Sequence, residues 1–123
     1  MPKALMLAFT KPVSAAVEDE YNRWYTGKHL PDLTRVPGLI SATRYKLDPT
    51  VEAMPGVSGD PRGYLALYEI EGDSHEDLAN FAKSLTEAIK AGNVDISPTL
   101  DLTNMSASFL LPISERMVAK GKS

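Results

Sequence analysis

Two side chains in the first third of the chain have the types and the spacing that acid–base chemistry requires. Tyr25 and His29 are four residues apart, so on a helix they lie one above the other on the same face. Near the end of a helix, the unpaired carbonyls should favour the charged form of His29, which titrates near neutral pH. His29 could therefore act as a general base or acid, while Tyr25 could donate a hydrogen bond to a developing oxyanion.

Two charged residues that follow complete the candidate catalytic group. Arg44 lies on a predicted strand and could hold a carboxylate or a phenolate, or could instead pair with Asp32 or Glu69. Asp32 could orient His29, although an aspartate after a proline is also a common turn residue. The plainer interpretations are a histidine bonded to the backbone or to Asp32, and a Tyr25 that packs in the core with its hydroxyl at the surface.

Aromatic residues near these positions are expected to bind substrate. Two come from the first predicted helix and two share one face of a predicted strand: Trp24, Tyr21, Tyr64 and Tyr68. The alternative for the helix pair is a place in the core, and for the strand pair a place at a dimer seam. His75 begins the second predicted helix within the polar stretch DSHEDL, so we expect it to be exposed.

Hydrophobic periodicity predicts four strands and two helices in the order β-α-β-β-α-β. The strands are predicted at residues 3–10, 39–47, 64–71 and 100–111, the last most clearly at 106–111. The helices are predicted at residues 14–30 and 74–91. Residues 32–37 are predicted to form a turn or a short helical turn, and the Pro- and Gly-rich segment 48–62 a loop of a length that is often a lid.

Specific residues are expected to end these elements and to set their faces. Ser14 is a candidate cap for the first helix, and Pro31 should stop that helix at Leu30. The inward stripe of this helix is predicted from its spacing to be Val17, Tyr21, Trp24, Tyr25 and Lys28. On the second strand, Leu39 is predicted to share a face with Ser41 and Thr43, and Arg44 to lie on the other face.

The order of the elements is that of the ferredoxin-like α+β plait, a four-stranded antiparallel sheet with both helices on one face. The first strand is apolar on both faces, with Leu5, Leu7 and Phe9 on one and Ala4, Met6 and Ala8 on the other, so a monomer would expose an apolar sheet surface to water. We therefore expect a homodimer whose two sheets face each other, a sheet-to-sheet dimeric barrel. Residues 1–112 are predicted to form this domain and residues 113–123 a polar C-terminal tail.

Composition excludes several classes of function. The 123 residues fit one domain, and a net charge of −3 without a basic stripe argues against a nucleic-acid partner. No apolar run approaches the ~20 residues of a membrane span, and no signal-peptide cleavage site is recognisable. The absence of cysteine suits a reducing compartment, so we expect a cytoplasmic protein. His29 and His75 are too far apart in sequence for a recognised metal motif, and we expect neither a metal nor a cofactor.

Residues 18–45 carry a more specific pattern. The run E-x-E-Y-N-x-W-Y-x-x-K-H-L-P-D, followed by V-P-G-L-x-x-A-x-R-Y, resembles the EthD-like branch of the dimeric α/β-barrel superfamily. The resemblance covers about the first third of the chain. It implies the plait, the dimer and a pocket between helices and sheet in each subunit. Relatives in the wider superfamily include cofactor-independent monooxygenases, polyketide cyclases, decarboxylases, dehydratases and hydroxynitrile lyases, so it does not imply one reaction.

The leading hypothesis is a cofactor-independent lyase or isomerase that acts on a small hydrophobic or aromatic substrate, as in the catabolism of aromatic compounds. His29 would move a proton, and Tyr25 and Arg44 would stabilise negative charge. Two alternatives remain open: a non-catalytic binding or accessory dimer, and a cofactor-independent monooxygenase that oxidises a phenolate. A tautomerase with Pro2 as its terminal base is disfavoured by Met1.

Overall fold

The computed structural model describes residues 2–122, and its elements follow the predicted order. The strands are β1 (Ala4–Thr10), β2 (Leu39–Lys46), β3 (Tyr64–Ile70) and β4 (Ser106–Leu110). The helices are α1 (Glu18–Trp24), α2 (Leu30–Leu33) and α3 (His75–Lys90). A 3₁₀ turn (Ala15–Val17) precedes α1, and a π-helical turn (Tyr25–His29) joins α1 to α2. Met1, on which the terminal-proline alternative depends, and Ser123 of the predicted tail lie outside the described residues.

The four strands form one antiparallel sheet in the order β2-β3-β1-β4. In the central strand β1, Leu7 lies opposite Leu67 of β3 and Ser108 of β4. Every second residue of β1 and β3 is buried, which shows that one face of these strands is covered by the helices. The sheet and its helices confirm the predicted α+β plait. The fourth strand is shorter than predicted, because Leu100 forms only an isolated bridge with Pro12.

The sequence of helix α3 accounts for its boundaries. Ser74 accepts a hydrogen bond from the Asp77 N–H and the Asp77 carboxylate accepts one from the Ser74 N–H, a capping box. Gly92 follows the helix with a positive φ of 80°, a conformation that glycine adopts without strain. Leu78 and Phe81 are buried in the core, and the Phe81 ring meets Phe109 of β4 edge-on at 6.4 Å.

The first helical segment differs from its prediction in three respects. It continues through Pro31 to Leu33, so the predicted end at Leu30 is wrong. The π turn bonds the Leu30 N–H to the Tyr25 carbonyl, and this wider turn leaves room for a proline ring that would collide with an α-helical carbonyl. The Ser14 side chain makes no capping hydrogen bond, and Lys28 is exposed rather than part of the inward stripe.

A bulge in β2 changes which of its residues face the helices. Leu39 lies opposite the buried Ile70, yet Ser41 is already opposite Glu69, so an extra residue is accommodated between them. The predicted grouping of Leu39 with Ser41 on one face is therefore wrong. Arg44 lies opposite Ala66 on the helix-covered side of the sheet, so its side chain can reach α1.

Candidate functional site

An apolar cavity of about 450 Å³ lies between the sheet and the helical layer. Its walls come from β1, β3, β4, the π turn, α2, α3 and the segment between α3 and β4. The lining residues are Met6, Ala8, Tyr25, His29, Leu33, Tyr68, Leu85, Ile89, Val94, Ile96, Leu100, Leu102, Met105 and Ala107. Their only nitrogen- or oxygen-bearing side chains are those of His29, Tyr25 and Tyr68. A concave apolar pocket with a few convergent polar groups is the usual form of a small-molecule site.

A depression of similar volume, about 460 Å³, lies between the start of β1 and the C-terminal tail. Its lining includes Lys3, Ile113 and Met117, which are all exposed. No buried titratable side chain lines it. The cavity beside His29 is therefore the candidate site.

The backbone determines which ring nitrogen of His29 carries a proton. The side chain is buried, and its Nδ1 lies 3.0 Å from the carbonyl oxygen of Asp95. A carbonyl only accepts hydrogen bonds, so we assign the proton of the neutral ring to Nδ1. Nε2 is then left with a free lone pair, the form that a general base needs.

Burial lowers the pKa of His29 below its usual range, against the opposing effects of the bond to Asp95 and of the Asp32 and Asp95 carboxylates. The predicted preference for the charged form is therefore wrong. His29 does not end its helix, because the π turn continues into α2. Its ring instead enters an apolar environment, which disfavours the imidazolium.

We expect the fluorescence of Trp24, the single tryptophan, to report this titration. Its ring centroid lies 4.7 Å from that of His29, and a charged imidazolium in contact with an indole quenches its emission. Emission should fall with decreasing pH, with a midpoint below the ordinary value of about 6.5. His29→Gln should remove the transition, and His75→Gln should leave it. A midpoint above the ordinary value would contradict the assigned environment.

Two tyrosine hydroxyls form the other polar feature of the cavity. The Tyr25 and Tyr68 oxygens are 3.3 Å apart, and both side chains are buried. Burial raises the pKa of each hydroxyl, so both stay protonated and can donate hydrogen bonds. The Tyr25 ring meets the His29 ring edge-on at 5.0 Å. A base and a hydrogen-bonded pair of neutral hydroxyls, one of which keeps a proton to donate, therefore share one cavity. The four-residue spacing predicts the contact between Tyr25 and His29.

Arg44 lies behind Tyr25 and does not line the cavity. Its guanidinium carbon is 4.4 Å from the centroid of the Tyr25 ring. Its nitrogens donate to Asn22 Oδ1 and Thr26 Oγ1, each at 3.0 Å. The suggested pairing with Asp32 or Glu69 is therefore wrong. Through these contacts Arg44 supports the cavity-lining Tyr25 from outside the cavity.

Asp32 is a buried carboxylate that contacts His29 only indirectly. Lys28 Nζ lies 2.9 Å from both of its oxygens, and Arg35 donates to Oδ1 at 3.2 Å. The Asp95 N–H donates to Oδ2 at 3.2 Å. The hydrogen bond from Lys28 holds the pKa of Asp32 below its usual range in spite of burial, so the carboxylate remains charged.

Of the four aromatic residues predicted to bind substrate, only Tyr68 lines the cavity. Tyr64 donates a hydrogen bond to Glu18 and accepts one from Asn22. Trp24 packs against the His29 ring, and its Nε1 is the one buried side-chain polar atom among residues 2–122 that has no hydrogen-bond partner.

Tyr21 is fully buried, and its hydroxyl lies 2.5 Å from Thr10 Oγ1. Tyr21→Phe should lower the free energy of unfolding by about 1–3 kcal/mol, because it leaves the buried Thr10 hydroxyl without a partner. The double variant with Thr10→Val should recover most of this loss in urea-induced unfolding. Additive losses would show that the two hydroxyls are not coupled.

Sequence reasoning missed the wall formed by the segment between α3 and β4. Residues 93–98 lie between the predicted second helix and the predicted last strand, yet Val94 and Ile96 line the cavity, and the Asp95 main chain binds both Asp32 and His29. The alternation of apolar and polar residues in this segment is the only feature of the sequence that indicates a place in the cavity wall. Between residues 2 and 122 no group of three or more His, Asp or Glu side chains could hold a metal ion.

The sequence matches no protein-family model and no curated protein. Solved structures nevertheless share its architecture. A point mutant of MhuD with two manganese protoporphyrin IX molecules bound per active site has a TM-score of 0.51 at 14% identity, over 94% of this chain and 99% of that one. HapK from Hahella chejuensis has a TM-score of 0.50 at 9% identity, over the same shares. An ethyl tert-butyl ether D (EthD) family protein from Bacillus halodurans C-125 is also similar, with 19% identity over 88% of this chain and 97% of that one and a TM-score of 0.44.

The sheet order and the helices of this chain make it a ferredoxin-like α+β plait, and the MhuD mutant and HapK share this overall architecture. The resemblance to the EthD-like branch rests on residues 18–45 of the sequence. In the part of the chain that the structure describes, no helix has the length and apolar character needed to cross a membrane.

Proposed function

We propose that this chain is a cofactor-independent enzyme that binds a small, neutral, largely apolar molecule in the helix–sheet cavity and transfers a proton on it. The observation that carries the proposal is the His29 ring, with its Nδ1 on the Asp95 carbonyl, in the wall of a cavity that also holds two tyrosine hydroxyls. A base and an oxyanion donor in one apolar site are the groups that lyase and isomerase reactions next to a carbonyl need.

A carbonyl substrate illustrates the reaction. Nε2 of His29 takes a proton from the carbon beside the carbonyl, and the C–H electron pair forms a C=C bond as the carbonyl π electrons move onto oxygen. Tyr25 or Tyr68 donates a hydrogen bond to that oxyanion. The oxyanion electrons then re-form the carbonyl. With a β,γ-unsaturated ketone, the C=C electron pair shifts and its γ carbon takes the proton from the His29 imidazolium, which completes an isomerisation. With a leaving group on the β carbon, that group departs with the bonding pair and takes the proton, which completes an elimination.

The lining also favours a class of substrate. None of the residues that line the cavity carries a permanently charged side chain. A carboxylate or phosphate would lose its hydration there without gaining a partner, which is costly. The cavity therefore suits an uncharged molecule with one or two oxygen atoms.

The main alternative is binding without catalysis, and one observation favours it. His29 is only 8% exposed, so a ligand reaches its ring only by entering the cavity itself. A protein that sequesters an apolar metabolite needs such an apolar cavity but no proton transfer.

We further propose a homodimer that buries the uncovered face of the sheet. Leu5, Leu7 and Phe9 of β1 and Leu65 and Leu67 of β3 alternate with the core residues and remain partly exposed. Together they form an apolar surface without cover in one subunit, and a second copy across a two-fold axis would cover it. The cytoplasmic location and the division into residues 1–112 and 113–123 remain predictions.

A pair of matched probes tests the proposal. We expect 2-tetralone, a neutral bicyclic ketone, to change Trp24 emission on binding, and naphthalene-2-carboxylate to bind more weakly. In D₂O, proton NMR should show that the protein accelerates exchange of the protons beside the ketone. Binding without accelerated exchange would support the sequestration alternative, and an absence of binding by both probes would contradict the proposed site.

A further inference from the structure

We propose that Asp32 is a positioning residue that sets the tautomer of His29 through the main chain of Asp95. The inference rests on the proposed role of His29 as a base, because it explains how Nε2 is kept free. Asp32 and His29 do not bond to each other. They bind opposite sides of the same residue, 63 and 66 positions away along the chain.

The hydrogen bonds around Asp95 connect the two side chains. The Asp95 N–H donates to Asp32 Oδ2 at 3.2 Å, and the Asp95 carbonyl lies 3.0 Å from His29 Nδ1. An Asp32 that holds the amide restricts the direction of the carbonyl at the other end of the same residue. That carbonyl can only accept, so it requires a proton on Nδ1 and leaves Nε2 free.

The surroundings of Asp32 support an anchoring role. The carboxylate is 3% exposed, and burying an ion is costly unless its oxygens are occupied. Here they are occupied by Lys28 and Arg35, whose own side chains are 58% and 73% exposed. The remaining hydrogen bond comes from the Asp95 N–H. The carboxylate therefore connects the exposed side chains of Lys28 and Arg35 to the segment between α3 and β4.

The segment that contains Asp95 needs such an anchor. It lies between α3 and β4, outside any helix or strand, and loops without regular hydrogen bonding are the more mobile parts of proteins. The N-terminal end of the segment is held by the hydrogen bond from the Asn93 N–H to the Ala88 carbonyl. Val94 and Ile96 flank Asp95 and line the cavity, so the same anchor also keeps this wall in place.

We call the chain of hydrogen bonds from Asp32 through the Asp95 main chain to His29 the relay. Nitrogen-15 NMR of the histidine ring tests this relay directly, without any substrate. In the wild-type protein we expect His29 to be protonated on Nδ1, whereas free neutral histidine prefers the proton on Nε2. Asp32→Ala should shift His29 toward the Nε2-protonated form. Asp32→Asn should keep the wild-type tautomer, because the amide oxygen can still accept from the Asp95 N–H.

Two further measurements separate the relay from general structural effects. Arg35→Gln removes one ion pair of Asp32 but no bond to Asp95, so it should leave the tautomer unchanged. If Asp32→Ala does not fold, hydrogen exchange of the wild-type Asp95 amide decides, and slow exchange is expected. An Asp32→Ala protein with the wild-type tautomer, or a freely exchanging Asp95 amide, would overturn the relay. If the wild-type protein has the expected tautomer but does not accelerate proton exchange on 2-tetralone, the result counts against the proposed function alone and leaves the positioning role of Asp32 intact.

Discussion

His29→Gln should lower the rate of proton exchange on bound 2-tetralone by about 10²- to 10⁴-fold, the usual contribution of a positioned general base. Glutamine has a similar size and can still donate to the Asp95 carbonyl, but it provides no nitrogen lone pair that can take a proton. The affinity for the ketone should change little, because most of the lining is apolar. Proton NMR measures the rate, and Trp24 fluorescence measures binding.

The second histidine of the chain provides the matched control. His75 is exposed in the first turn of α3 and does not line the cavity, so His75→Gln should exchange the ketone protons at the wild-type rate. The wild-type rate should also rise with pH through a midpoint below about 6.5 and then level off, because burial lowers the pKa of His29 and the base is the neutral form. A His29→Gln protein with an unchanged rate would remove His29 from the mechanism.

Leu67→Lys should convert the proposed dimer to monomers. Leu67 lies opposite Leu7 at the centre of the uncovered sheet face. In a two-fold dimer, the substitution places one ammonium from each subunit in the same apolar interface. The cost of desolvating these charges should be about 3 kcal/mol or more, which weakens association by a factor of about 100 or more.

Sedimentation equilibrium across a range of concentrations measures this change. Ala79→Lys introduces the same charge at an exposed position of α3, so it should leave the dimer intact. The Leu67→Lys monomer should keep its helical circular-dichroism signal, because its core lies on the other face of the sheet. A wild-type chain that sediments as a monomer at all concentrations would refute the dimer.

The fold could be predicted because its elements follow simple periods. In β1 and β3 the buried residues alternate strictly, and α3 repeats Leu78 and Phe81 at helical spacing between a capping box and Gly92. The errors fall where the backbone departs from those periods. The π turn carries the helix past Pro31, and the bulge in β2 moves Leu39 to the covered face, and neither change follows from residue type alone.

The candidate site was predictable only as far as its contacts are local. Tyr25 and His29 share a helix face, so their spacing in sequence predicts that they meet. The partner of His29 is Asp95, 66 residues away, and no pattern in the sequence connects the two. The same is true of Arg44, whose position on Tyr25 depends on how β2 packs against α1. The charge state of His29 was predicted wrongly because burial, rather than the helix dipole, determines it.

A crystal structure of the protein with bound 2-tetralone is the most direct measurement of what the cavity does. The proposed function predicts the ketone between the sheet and α3, with its oxygen within hydrogen-bond distance of Tyr25 or Tyr68 and its neighbouring carbon facing Nε2 of His29. A cavity filled by the protein's own side chains, or a ketone bound elsewhere with Nε2 occupied by a protein donor, would contradict it.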